Sequence, residues 1–376
     1  MDIKIVSLLF FIGSFCCCCN AQAVVNIVPG MFSKATVSNG LNLQATSTFK
    51  PITSLTTNIH LDKCYAVFVH YQITFETDNA DFQSKLLINY ANAGSLVHSG
   101  KQTFKTATGF YMANLNPGYY TIEIYYKSPT AIKMPASYDW QTAILQVVWA
   151  EDAYAVSDSI KCYPTPTPTN NYNNWGPIRD TEVALQLPNN RVVMSAYQFS
   201  AETVTPSHVF TALEVNGFHY HTTVIIKDCK EKYKNNENLY AMMLPPSCNV
   251  VTVNPKTSLT LSNSNSWAPT DLSHSFTLSK QSHVIIMYQY SGYGGNNYIV
   301  MRLSIDSVPQ KHTVSLTGNT AYASNFGLWQ GSLNTGGHKV SLDYRTTAKT
   351  INTVSAEIQW KRWNKWQNRA MTIVYC

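Results

Sequence analysis

Charge is scarce in this chain. Of 376 residues, Lys and Arg number 27 and Asp and Glu 21, so charged side chains make up 13%, about half the usual share. A disordered chain needs high net charge and few aromatics. Here the formal net charge is only +6 and aromatics reach 12%, with 23 Tyr, which excludes disorder. No long window carries an apolar stripe at helical period, and the Ala, Glu, Lys and Leu richness of a coiled coil is missing. Past the first residues, no apolar run approaches the roughly 18 residues a membrane-spanning helix needs. The chain has no G-x-S-x-G, H-E-x-x-H, P-loop or G-x-G-x-x-G motif. Its acidic residues Asp62, Asp78, Asp81, Glu151 and Asp152 are scattered rather than spaced as calcium ligands. The expectation is therefore a non-enzymatic protein without a metal or cofactor. Nucleic acid is not an expected partner, because neither a basic helix nor a recognition module is present. N-glycosylation is not expected either, since no N-x-[ST] sequon occurs.

Residues 1–23 read as a secretory signal peptide. Lys4 precedes the apolar run Ile5 to Phe15, and Ala21-Gln22-Ala23 is a small-x-small cleavage site. Secretion into an extracellular, oxidising setting follows as an expectation. Cys16, Cys17, Cys18 and Cys19 leave with the signal, and five of the 9 Cys remain. None shows C-x-x-C spacing, so a zinc site is not expected. Cys229 with Cys248 is the preferred local disulfide, and Cys64 with Cys162 is a second candidate. Cys376 is then left over, either joining a second chain or staying a buried free thiol.

The strongest signal is internal repetition. Gly109-Phe110-Tyr111-x-x-x-Leu115-Asn116-Pro117-Gly118 matches Gly327-Leu328-Trp329-x-x-x-Leu333-Asn334-Thr335-Gly336 at one constant offset. Ile122-x-Ile124-x-Tyr126-Lys127-Ser128 matches Val340-x-Leu342-x-Tyr344-Arg345-Thr346 at the same offset. A middle copy shares the columns Tyr71-Gln72, Tyr197-Gln198 and Tyr288-Gln289, and starts, like the others, with aromatic-x-Pro at Trp175-Gly176-Pro177. The alignment divides the chain into an N-terminal segment (24–48), repeat 1 (49–153), a Pro/Thr/Asn linker (154–174), repeat 2 (175–264) and repeat 3 (267–376). The Pro-Thr run Pro164 to Thr169 favours an extended, semi-rigid connection. Repeats 2 and 3, with almost no spacer, are expected to pack directly on each other.

Strand signals fill each repeat. From Tyr65 to Phe75 every odd position is apolar, and a period of two sorts the side chains onto opposite faces of a sheet. Turn residues punctuate the runs at Asn116-Pro117-Gly118, Asn216-Gly217 and Thr335-Gly336-Gly337. The fold class expected is all-β: tandem antiparallel β-sandwich domains, jelly-roll-like.

The distal pattern Gly327-Leu328-Trp329-x-Gly331-x-Leu333-x-x-Gly336-x-His338-x-Val340-x-Leu342-x-Tyr344, followed by a late apolar strand, resembles the second half of a C1q/TNF-like jelly roll. The whole is similar to secreted invertebrate repeat proteins, including some of skeletal organic matrix. That resemblance implies protein or glycan ligands and trimeric association. The chain lacks a collagen-like stem and carries three units, so the copies could pack as a pseudo-trimer of their own.

Three groups of residues are candidates for binding. Trp360, Trp363 and Trp366 crowd Lys361, Arg362 and Lys365, a mixture suited to glycans or polyanions, or else an exposed hairpin. Lys127-Ser128, Lys256-Thr257 and Arg345-Thr346 repeat a cation beside a hydroxyl, a pair able to grip an oxyanion or simply to solvate a strand end. Tyr111, Tyr240 and Trp329 offer rings for a sugar face or for core packing. His219-Tyr220-His221 has metal-like spacing on a strand, but no counterpart in the other copies. The function expected is a secreted structural or adhesive extracellular matrix protein, with a lectin-like carbohydrate- or polyanion-binding module as the alternative. Its partners would be extracellular glycans, anionic polymers or matrix proteins.

Overall fold

The computed structural model describes residues 32–376 apart from 38–40, 100–103, 135–140, 161–192, 201–206, 216–217, 228–235, 246, 256–258, 263, 294–297, 318–321, 348–357 and 361–367. The first ten strands are β1 (Phe32–Val37), β2 (Leu41–Leu43), β3 (Thr46–Leu61), β4 (Tyr65–Thr77), β5 (Phe82–Ile88), β6 (Ala91–Ser99), β7 (Phe104–Leu115), β8 (Gly118–Ser128), β9 (Ile132–Met134) and β10 (Ala143–Ala150). They make two antiparallel sheets. One runs β1-β10-β4-β9-β2 with β7 also on β4, and the other runs β3-β8-β5-β6. Strand β10 pairs with Ala66–Ile73 and β9 continues the same line at Glu76 and Thr77. Counting the broken strands β1/β2 and β9/β10 once each gives the eight strands of a jelly roll.

Period-two patterning builds the core. Tyr65, Val67, Val69, Tyr71, Ile73 and Phe75 of β4 meet Leu86 of β5 and Ile122, Ile124 and Tyr126 of β8 between the sheets. Burying each such side chain contributes about 1.5–3 kcal/mol relative to exposure. Tyr71 stands opposite Gly109 in register on β7, and its Oη is 3.0 Å from Ser84 Oγ.

A middle group follows: β11 (Tyr154–Ile160), β12 (Val193–Ser200), β13 (Ser207–Val215), β14 (Phe218–Lys227) and β15 (Asn236–Met243). It forms a three-stranded sheet, β11-β15-β12, and a β13-β14 hairpin. The hairpin's register skips His221 between Tyr220 and Thr222, so the simple alternation assumed for His219 and His221 is interrupted by a bulge.

The last group is β16 (Asn249–Val253), β17 (Leu259–Leu261), β18 (Ala268–Leu278), β19 (Ser282–Tyr293), β20 (Tyr298–Ile305), β21 (Val308–Pro309), β22 (Ser315–Thr317), β23 (Tyr322–Leu333), β24 (Gly336–Thr347), β25 (Ile358–Trp360) and β26 (Asn368–Tyr375), with a short 3-10 turn at Lys311–Thr313. The order β16-β26-β19-β25-β17, with β23 also on β19, repeats the first sandwich strand for strand, and β18-β24-β20-β21 repeats its second sheet. Fine detail repeats too. Tyr126 Oη donates to the Gln44 carbonyl at 3.0 Å and Tyr344 Oη to the Ser262 carbonyl at 2.9 Å, both across 82 residues. Tyr288 stands opposite Gly327 as Tyr71 does opposite Gly109. The two sheets of this sandwich are also tied by Arg369 on β26, whose Nε and Nη2 donate to Asp271 on β18 at 2.9 and 2.5 Å.

These pairings correct several sequence expectations. Asn249–Val253 pairs with β26 and Leu259–Leu261 with β25, so both strands belong to the last sandwich and not to the second repeat. Phe32–Val37 pairs with β10 and Leu41–Leu43 with β9 inside the first sandwich, so these strands are no separate N-terminal segment. Tyr154–Ile160 is a strand bonded to β15 rather than the start of a linker; the Pro-Thr run itself lies outside the described residues. Cys248 is bonded to Cys376, not to Cys229, because β16 and β26 bring Asn249 opposite Tyr375 and so place the two thiols side by side. Cys376 is thus neither an interchain thiol nor a free one. Cys64 is a free thiol whose Sγ donates to Asn116 Oδ1 at 3.2 Å. Cys162 and Cys229 lie outside the described residues.

The first and last sandwiches pack against each other. On the outer face of β4, Gln72 Nε2 and Thr74 Oγ1 donate to the Val314 carbonyl, the latter at 3.0 Å. Thr142 Oγ1 donates to the Lys311 carbonyl at 3.2 Å, and the Leu316 N–H donates to Thr106 Oγ1 at 2.8 Å. The later even positions of β4, His70, Gln72 and Thr74, are therefore polar yet buried in a seam. The contacts also extend to the middle group. Strand β22 lies on β4 and β7, β6 lies on β12 and β15, and β14 lies on β19, β23 and β26. Each sandwich thus touches the other and also touches strands of the middle group. Where they meet, Phe68, Phe110, Met194, Met242, Leu328 and Val374 share one apolar cluster.

Candidate functional site

Because one sheet of each sandwich faces the central cluster, the sheets β3-β8-β5-β6 and β18-β24-β20-β21 turn outward. Strand alternation sets what they display. On the first, Lys85 Nζ sits 4.5 Å from the Phe49 ring centroid and 6.0 Å from that of Tyr125, with Lys127 two residues further along β8. On the last, the Arg302 and Arg345 guanidinium carbons stand 3.9 and 5.3 Å from the Trp267 ring centroid. Asp343 beside them accepts from Ser304 Oγ at 2.5 Å and lies 3.7 Å from Arg302 Nε. Lys85 precedes Leu86 as Arg302 precedes Leu303, and both cations lie on the aromatic of the aromatic-x-Pro start. The two sandwiches thus carry the same cation-on-aromatic couple at matched positions.

The cation–hydroxyl pairs do not work as expected. The same alternation that turns Lys127 and Arg345 outward sends Ser128 and Thr346 inward, where both are buried. Ser128 Oγ donates to the Thr130 carbonyl at 2.8 Å, and Thr346 Oγ1 accepts from the Ser264 N–H at 3.0 Å. Neighbours in a strand cannot close on one oxyanion. Lys256, Lys361, Arg362, Trp363, Lys365 and Trp366 lie outside the described residues; the backbone of Trp360 pairs with Leu259. Tyr111 and Trp329 are half-buried against the cores rather than displayed. Among the described residues, no three His, Cys, Asp or Glu side chains gather as a metal site.

Sequence reasoning missed one cluster. At the far end of the outward sheet of the first sandwich, Tyr90 is 73% and Tyr119 80% exposed. The His60 ring stacks on Tyr119 with centroids 4.3 Å apart. The only sequence signal was that Tyr90 and Tyr119 each adjoin a turn.

The central seam holds buried histidines. His70 packs with ring centroids 5.2 Å from Phe110 and 5.9 Å from Phe326, and its Nδ1 is 3.3 Å from Gln146 Oε1. Burial pushes its pKa down to about 3 and that of His283 down to about 4. His283 lines a cavity of about 20 Å³ with Phe68, Trp149, Met194, Met242 and Cys376. That volume holds at most about one water.

The chain matches no protein-family model and no curated protein. Among solved structures it is similar to the tandem CBM22 domains of Paenibacillus barcinonensis Xyn10C, at 10% identity and a TM-score of 0.18, over 92% of this chain and 91% of that one. It is also similar to the infectious bursal disease virus Gx strain structure, at 8% identity and a TM-score of 0.21, over 88% and 78%. A third is the PBCV-1 virus capsid, at 8% and 0.16, over 94% and 95%. At these scores the likenesses carry no functional argument.

Proposed function

We propose that this chain is a secreted, non-enzymatic adhesive protein of the extracellular matrix that holds anionic polymers through the outward sheets of related jelly-roll units. The observation that carries the reading is the couple repeated on two sandwiches: Lys85 on Phe49 with Lys127 nearby, and Arg302 with Arg345 on Trp267. A cation resting on a ring is held in place, and Arg302 is held further by Asp343; a fixed cation beside an aromatic suits sulfate and carboxylate groups on a flexible polymer. Two such faces on one chain give avidity beyond either alone. The Trp360, Trp363 and Trp366 segment would extend the same chemistry. Secretion is supported by the signal-like leader and by the Cys248–Cys376 bond, which forms in oxidising compartments. Kinship with C1q/TNF-like jelly rolls, with the three units as a pseudo-trimer, is part of the proposal.

Heparin-agarose tests it. The chain should be retained and eluted by salt, since surface charge contacts are screened. Lys127→Ala with Arg345→Ala should elute at distinctly lower salt. Elution of the double variant together with the parent would remove the reading.

A further inference from the structure

The aromatic cluster at the end of the first sandwich has an internal control in the last one. Both sandwiches cross the corresponding turn in the same left-handed backbone: φ is 48° and 65° at Asn89 and Tyr90, and 51° and 66° at Asp306 and Ser307. Both lock that turn to the neighbouring strand with the first turn side chain. Asn89 Oδ1 accepts from the Thr121 N–H at 2.8 Å and its Nδ2 donates to the Tyr119 carbonyl at 3.1 Å. Asp306 Oδ1 accepts from the Lys339 N–H at 2.8 Å. Register places His60 opposite Tyr119 and Thr277 opposite Gly337. Where the last sandwich has Thr277, Ser307 and Gly337, the first has His60, Tyr90 and Tyr119. In the last sandwich the turn closes with no ring at any of these three positions, His338 bonding Asp306 from the next position along the strand at 2.7 Å, so the fold does not require rings at them. A bulky residue at positive φ is moreover unfavourable, and Ser307 shows that a small one serves.

We propose that the His60–Tyr119 stack, together with the exposed Tyr90 on the adjoining turn, forms a stacking platform for a neutral glycan, specifically a chain of pyranose rings with equatorial hydroxyls. Such rings present flat faces of axial C–H bonds, whose positive edges complement the negative face of an aromatic ring. Tyr119 is held by its stack on His60, and Tyr90 rides on a backbone turn that Asn89 locks; this preorganisation lowers the ordering cost of association. The flanking polar groups suit sugar hydroxyls. Asn58 Oδ1 is held by Thr121 Oγ1 at 2.8 Å, which leaves the Asn58 amide N–H groups toward solvent on the same outward face. The nearby carboxylate of Asp62 is engaged by Tyr65 Oη at 2.8 Å, and Lys85 and Lys127 stand toward the far end of the sheet. The cluster is thus matched to an uncharged polyhydroxyl ligand rather than to a polyanion or an acidic protein.

Affinity electrophoresis of the full chain through gels containing hydroxyethyl cellulose, a neutral β-1,4-linked glucan, tests this. The parent should be retarded, and raising the salt should leave the retardation in place, in contrast to elution from heparin. Tyr119→Ala should weaken binding at least tenfold. Tyr90→Gly should also weaken it while raising the melting temperature, an opposition that a purely structural tyrosine would not show. A parent that runs freely through the glucan, or variants retarded like the parent, would overturn the proposal, whatever heparin shows.

Discussion

Acidification should loosen the seam between the two sandwiches before it unfolds either. His70 is buried between Phe110 and Phe326, with Gln146 as its one hydrogen-bond partner among the described residues. Its pKa of about 3 lies well below the usual 6.5. The folded state therefore favours the neutral ring. Stability is full above pH 6.5 and falls as pH drops through the window toward 3, by about 1.4 kcal/mol per pH unit. By pH 5 His70 alone removes about 2 kcal/mol, and His283, held near 4, removes about 2 more. His312 shifts downward as well, first by burial and then by Lys34 and Lys311. His338 has the opposite sign: its pKa is raised by its bond to the Asn334 carbonyl and by Asp306. What it contributes is fully present below 6.5 and is lost as pH rises through its folded value. A loss of about 4 kcal/mol is large against the roughly 5–15 kcal/mol that holds most folds. Urea unfolding followed by Trp fluorescence at pH 7, 6 and 5 measures it. His70→Phe combined with His283→Leu should flatten the profile below pH 6.5. If the double variant lost stability as steeply as the parent, the reasoning would be refuted.

Two further outcomes follow from contacts already described. Cys248–Cys376 closes a loop across a separation of 128 residues, worth about 4–5 kcal/mol by loop entropy. Cys376→Ser should lower urea stability by about that amount; an unchanged urea midpoint would contradict the pairing. A Cβ on Gly327 would lie 2.2 Å from Tyr288 Cε1 and 2.6 Å from the Thr313 carbonyl oxygen. Gly327→Ala should therefore cost about 1–3 kcal/mol or more, whereas Gly337→Ala, with nothing within 4 Å, should stay within about 0.5 kcal/mol. Equal melting temperatures for the two would show that the Tyr–Gly packing is wrong.

Local rules made much of the fold readable. Alternation from Tyr65 to Phe75 marks β4 because every second side chain enters one core. The Tyr71 and Tyr288 columns stand out because each stands opposite a glycine on the next strand. The short outer strands were harder. Leu41–Leu43 and Leu259–Leu261 hold too few residues for a period, and their partners β9 and β25 lie far away in sequence. Non-local pairing therefore decided which sandwich owned them. The same cause misdirected the cysteines: nearness in sequence favoured Cys229 for Cys248, but strand register placed Cys376 there. Ser128 and Thr346 look adjacent to their cations in the sequence, yet a strand sends neighbours to opposite faces. The polar even positions of β4 looked solvent-facing and turned out to be the seam, since nothing local distinguishes water from a second sandwich. Tyr90 and Tyr119 became legible only beside Ser307 and Gly337.

In a ring of three separate identical chains, any substitution would strike all three seams at once. Here each seam is written once. Gln72, Thr74 and Thr106 grip Val314 and Leu316, and the other junctions are free to use different residues. Dilution cannot dissociate the seam, and the two outward sheets can diverge for separate tasks without disturbing one another.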